Sequence, residues 1–252
     1  MSNTSPVTRV STWSLLTGLI DRPVRTFAAI AADPRRRWIV PLLLVVAAFA
    51  LGLLLTGQQQ VTEAVRQMRT QLAAQSSQIP AEQMAQVEAQ MARFTQPAVV
   101  LGLAAVTSLI GLVLALLIAA AMLYFGALVS GSDVSFATVW AMVPWTWLPF
   151  ALRDLVRSLY VRITGTPTLH QGFSGFVAGP DLAANTGNPL YLVLSQVDLF
   201  SLWHLVLVYA LLRGGTRLTQ GKAVILVLAY AAISLLLRAG PSLLVRGFMP
   251  GA

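Results

Sequence analysis

The chain has no cysteine, only two histidines and nine acidic residues among 252. Disulfides, thiolate zinc sites and cysteine nucleophiles are excluded, while the redox compartment stays open. Charged residues make up 10% of the sequence, too few for an ordinary soluble surface. Lys222 is the only lysine among seventeen basic residues, a bias that leans towards GC-rich coding and a bacterial source. A Walker loop and a dinucleotide fingerprint are both missing, and the arginine runs lack interleaved base-stacking aromatics. Nucleic acid is therefore not an expected partner. The two histidines, His170 and His204, have no ligand-like spacing and no carboxylate cluster beside them, so neither a metal nor a cofactor is expected. Residues 1–37 carry charges throughout and contain no continuous apolar core ahead of a small-residue cleavage site. The pattern predicts no cleavable signal peptide.

What is abundant is apolar sequence. Hydrophobic residues make up 56% of the chain, and its mean hydropathy is +0.73. A bilayer core about 30 Å thick needs roughly 20 helical residues, each rising about 1.5 Å. Five long apolar stretches meet that need, at about 38–56, 100–129, 134–152, 189–212 and 222–240. Backbone groups in hydrocarbon must be satisfied within the segment, so the stretches read as helices. The expectation is an all-α, polytopic integral membrane protein with five transmembrane helices in a membrane domain over 38–252. The third stretch is the weakest. It contains Pro144 and Pro149 among Trp140, Trp145 and Trp147, and a kinked helix is expected there.

Ahead of the first stretch, residues 1–37 form a basic segment. Asp21-Arg22-Pro23 reads as a helix start, and Val24, Phe27, Ala28 and Ala31 then follow helical spacing. The segment fits an amphipathic element in the membrane interface, or one packed on the ends of the spans. Arg35-Arg36-Arg37 stand directly before Trp38 and argue for a cytosolic N-terminus in a cell (inner or plasma) membrane. With five crossings, the two large connections at 58–96 and 153–188 then lie outside. Total basic charge barely discriminates, so the arginines before the first span decide.

The connection at 58–96 is polar but patterned. Val61, Val65, Met68 and Leu72 form one heptad-like seam, and Met84, Val87, Met91 and Phe94 form another, with Ile79-Pro80 between them. This predicts an extracytoplasmic helical hairpin whose seam binds its own other arm or a partner. The connection at 153–188 opens with a short amphipathic stretch and continues as an irregular loop rich in Gly, Pro, Thr and Asn.

Few residues could carry chemistry. Gly172-Phe173-Ser174-Gly175 has the spacing of a rhomboid-type serine motif, but its place in a loop argues for a glycine-rich turn. Asp198 is an acidic residue inside the fourth stretch, with Gln196 just before it and His204 beyond. These three are the candidate functional intramembrane polar residues. For Asp198 the plainer reading is a cap or inter-helix bond, with Arg153 or Arg157 as partner. For His204 it is a hydrogen bond to a neighbouring helix.

The order of these features resembles a known family. Asp21-Arg22-Pro23, Thr26-Phe27, Ile30-Ala31-Ala32-Asp33-Pro34, the later Asp198-Leu199-Phe200-Ser201-Leu202-Trp203, then Gly214 and Lys222-Ala223 carry the resemblance. It is to the Yip-one (Ypt-interacting) family, in its bacterial form. The resemblance implies an all-helical integral membrane protein with a cytosolic N-terminus. Eukaryotic members bind small GTPases and help organise trafficking. From the sequence, the expected function is that of a non-enzymatic adaptor or organiser. It would act on the lipid bilayer together with other membrane proteins, such as an export complex, or further copies of itself. The alternative is a subunit of a transporter or exporter with a polar pathway near Asp198.

Overall fold

A computed structural model of the chain describes residues 10–75, 96–166, 170–180, 185 and 188–248. Every regular element among them is helical. In order they are α1 (Thr12–Asp21), α2 (Pro23–Ala32), α3 (Ile39–Gln75), α4 (Pro97–Val129), α5 (Phe136–Thr146) and α6 (Leu148–Thr164). A 3-10 turn over Gly172–Phe176 then precedes α7 (Pro189–Leu194), α8 (Leu199–Gly214) and α9 (Gln220–Phe248).

Three segments are long and apolar enough to cross a membrane: Ile39–Gln59, Pro97–Val129 and Gln220–Gly240, with mean hydropathies of 2.7, 2.6 and 2.1. Helix α4 is apolar on every side, as a lipid-embedded helix is, with Leu103, Val106, Ile110 and Leu114 all exposed. Its buried stripe is Leu116, Ala119, Ala120, Leu123 and Ala127, where small residues let a neighbouring helix approach closely. Helix α8 is apolar but shorter.

The other two apolar stretches are interrupted, each for a local reason. Pro149 has no N–H for the Trp145 carbonyl, and the chain tightens around Trp147. The Trp147 N–H bonds the Pro144 carbonyl at 3.2 Å and the Phe150 N–H bonds the Trp147 carbonyl at 3.0 Å. These three-residue steps separate α5 from α6, so the region expected as one kinked span over 134–152 is two helices. In the stretch over 189–212, Asp198 interrupts. Its carboxylate accepts from the Ser201 N–H at 2.6 Å while the Ser201 hydroxyl accepts from the Asp198 N–H at 2.7 Å. This capping box starts a helix at Leu199, leaving α7 as a separate short helix. The connection at 153–188 also differs from expectation at its start, because α6 continues the helix through Thr164.

The chain divides into two compact units. One comprises residues 1–45, 116–153 and 168–252. Its core gathers Phe27 and Ile30 of α2, Met142, Val143 and Trp145 of α5, and Leu207, Val208 and Leu211 of α8, all fully or nearly fully buried. The expected stripe on α2 is thus corrected. Thr26, Phe27 and Ile30 form the buried face, whereas Val24 is 39% exposed. The reason is what α2 meets: it packs along α8 and α5, and at Gly214 the backbones come so close that a Cβ would strike the Val24 carbonyl. The Trp145 indole N–H donates to the Arg37 carbonyl at 2.9 Å, tying the arginine run before α3 to α5.

The second unit comprises residues 46–115 and 154–167. Gly52 leaves room for the Ser158 side chain, and Gly57 for that of Leu101. Helix α3 passes unbroken from its apolar part into the polar sequence as far as Gln75. At about 1.5 Å per residue its 37 residues exceed the hydrocarbon thickness. Along this extension Val61 is buried, Val65 and Leu72 are half-buried and Met68 is exposed. The facing seam of Met84, Val87, Met91 and Phe94 lies outside the described residues.

Candidate functional site

The break around Trp147 also supplies a binding group. With the Phe150 N–H turned to Trp147, the Thr146 carbonyl is turned to α8, where His204 Nδ1 lies 2.6 Å away. A carbonyl only accepts, so Nδ1 carries the hydrogen. In the neutral ring Nε2 is then an acceptor, and the Tyr230 hydroxyl donates to it from α9 at 3.0 Å. One buried imidazole thereby joins α5, α8 and α9. It also stacks on Phe150, with ring centroids 4.6 Å apart, and meets Trp147 edge-on at 6.3 Å. Both ring nitrogens are engaged, so neither is open to a metal or to an incoming proton. The Trp147 indole N–H beside it is buried without an acceptor among the described residues.

Asp198 sits at the start of the same helix. Besides capping α8, its carboxylate meets Arg153 of α6 at 3.5 Å, with both side chains largely buried. The Arg153 guanidinium in turn lies 4.9 Å from the centre of the Phe150 ring, and that of Arg238 lies 5.2 Å from it. Phe150 is thus the apolar surface against which two arginines and a histidine are arranged.

Between α8, α9 and Phe150 of α6, beside the connection that leads into α8, is a cavity of about 200 Å³. Gln196, Ser201, His204, Tyr230, Ser234 and Arg238 bring polar atoms to walls that are otherwise Phe150, leucine, valine and alanine. Of the three polar residues singled out from the sequence, Gln196 and His204 share this cavity, while Asp198 does not line it. Gln196 also donates from Nε2 to the Ser195 hydroxyl at 3.2 Å. Sequence reasoning missed Tyr230, Ser234, Phe150 and Arg238. For Arg238 there was a signal, a lone cation within an apolar stretch.

The serine motif does not assemble a nucleophile. The Ser174 hydroxyl donates to the Gln171 carbonyl at 2.6 Å, and both His204 nitrogens serve Thr146 and Tyr230. Gly172 is needed for packing. Its φ is +56°, and a Cβ there would collide with the carbonyls of Leu194, Ser195 and Val197. Among the described residues no group of three or more metal-ligating side chains forms.

A family model described as the Yip1 domain matches residues 17–239, nearly the whole chain. No curated protein and no solved structure gave a match.

Proposed function

The chain belongs to the Yip1 domain family, and we propose that within it this membrane protein acts as a non-enzymatic adaptor or organiser of other membrane components. The observation that carries this reading is the use of the buried polar side chains. Both nitrogens of His204 and the carboxylate of Asp198 are spent on holding helices together, at 2.6 Å to Thr146, 3.0 Å to Tyr230 and 3.5 Å to Arg153. Groups engaged in this way build a rigid scaffold and leave no acid–base relay. The long polar continuation of α3 offers a surface for a partner, whether a larger membrane complex or a second copy of the chain. In this reading the protein makes five crossings of the cell membrane. The pair α5 and α6 supplies the third, α7 with α8 the fourth, and the N-terminus is cytosolic.

Transport is the second reading, and the cavity lined by Gln196, Ser201 and His204 favours it. Affinity purification in mild detergent separates the two. Adaptor function expects a defined membrane partner at fixed stoichiometry, lost when residues 58–96 are replaced by a short linker. A protein purified without a partner, with a flux across proteoliposomes abolished by Gln196→Leu, would establish transport instead.

A further inference from the structure

Arg238 lies on an apolar helix, in a segment long and apolar enough to cross a membrane, and no carboxylate among the described residues pairs with it directly. Among the described residues it makes no ion pair, and the nearby carboxylate of Asp198 is occupied by Arg153 and the Ser201 N–H. What Arg238 has is the face of Phe150, 5.2 Å from its guanidinium, and the cavity of about 200 Å³ that it helps to line. Gln196, Ser201 and Ser234 bring further polar side chains to that cavity, while Leu202, Leu205 and Leu235 keep its walls apolar. A cation at the rim of an apolar pocket, with neutral hydrogen-bonding groups around it, is complementary to an anionic head on an apolar tail.

Depth identifies the source of that anion. On α9, Lys222 donates to the Ser130 carbonyl at 2.7 Å, at the turn that follows α4. Arg238 is sixteen residues further along the same helix, about 24 Å by helical rise. Across a hydrocarbon layer of about 30 Å, two cations so spaced sit towards opposite headgroup layers. A guanidinium at that depth meets lipid phosphates.

We propose that the cavity between α8, α9 and Phe150 binds the phosphate of an acidic membrane lipid, with Arg238 as its counter-ion and the start of an acyl chain against Leu202, Leu205 and Leu235. A soluble phosphate would satisfy the same guanidinium, so the test includes one.

The full-length protein is placed in phosphatidylcholine nanodiscs into which phosphatidylglycerol is titrated, and its thermal unfolding is followed. Binding to the native state raises Tm with ligand concentration. The wild type is expected to gain Tm with phosphatidylglycerol, while Arg238→Gln gains none and Arg238→Lys gains part. Native mass spectrometry of detergent-released protein should show bound phosphatidylglycerol falling about tenfold in Arg238→Gln, which is about 1.4 kcal/mol in binding. An equal rise in Tm for wild type and Arg238→Gln overturns the proposal, as does no rise in the wild type. If inorganic phosphate alone raises the Tm of the wild type in detergent but not that of Arg238→Gln, the ligand is a soluble anion and the lipid assignment fails. Should Arg238→Gln not fold, Ser234→Leu and Gln196→Leu, which occlude the same cavity, must abolish the Tm response, and a retained response overturns the proposal.

Discussion

His204 Nδ1 lies 2.6 Å from the carbonyl oxygen of Thr146, a residue 58 positions earlier in the chain. That carbonyl faces α8 because Pro149 and the Trp147 turn interrupt the helical bonding around it. The histidine and the prolines of the third apolar stretch are thus parts of one device. The backbone break would be costly in hydrocarbon without a partner, and the imidazole provides one.

His204→Leu should therefore strand both the Thr146 carbonyl and the Tyr230 hydroxyl. The loss expected is about 1–3 kcal/mol for buried groups left unpaired, tempered towards about 0.6 kcal/mol per bond by competition within the membrane. Tyr230→Phe removes only the second bond and should cost less. Unfolding by SDS in mixed micelles measures both. Equal stability of His204→Leu and wild type would show that the bonds contribute nothing.

At Asp198, replacement by Asn retains a good helix cap and removes the charge facing Arg153. Stability should change by less than about 1 kcal/mol, and partner co-purification should be normal. Asp198→Leu removes the same charge and loses the cap as well, at about 0.5–2 kcal/mol more, with no amide oxygen left to face Arg153. If Asp198→Asn were to abolish a measured flux while expression and assembly stayed normal, transport would become the better account.

Gly214→Val tests the docking of α2. A Cβ at this position meets the Val24 carbonyl and the backbone of Ala28, which cannot yield as a flexible side chain would. The N-terminal helices should be displaced, and trypsin should cut after the exposed Arg25 several-fold faster. An unchanged cleavage rate would mean that α2 is held elsewhere.

The absence of cysteine makes the hairpin directly testable. Cysteines introduced at Val65 and at Val87 or Met91 should crosslink within one chain if the two seams pair. Crosslinks formed only between chains would assign the seam to a second copy instead.

For topology, reporter fusions should place the N-terminus in the cytosol and the C-terminus outside. Both termini on one side would mean an even number of crossings. It would also mean that one of the two interrupted stretches returns to the side it entered from.

The sequence alone determined the solvent. Apolar length is additive along the chain, so Ile39–Gln59, Pro97–Val129 and Gln220–Gly240 were legible as helices long and apolar enough to cross a membrane without any tertiary information. Family membership was legible too, because Asp21-Arg22-Pro23 and Asp198-Leu199-Phe200-Ser201 are contiguous patterns. The tryptophans and prolines of the third stretch announced a distortion, yet a single kinked helix and two separate helices share one composition. What separates them is whether a donor elsewhere satisfies the freed carbonyl, and His204 is that donor. The stripe on α2 failed for a related reason: helical spacing defines several adjacent faces, and Gly214 admits the backbone of only one. At the candidate site, Asp198, Gln196 and His204 stood out because polar residues are rare in apolar sequence. Tyr230, Ser234 and Arg238 belong to the same cavity only because α9 folds back beside α8. Charge balance was legible only in part, since the sequence narrowed the partner of Asp198 to Arg153 or Arg157. Whether a cation is paired depends on distances of a few ångströms between helices, and the tertiary structure chose Arg153 over Arg157 and placed Arg238 at the cavity.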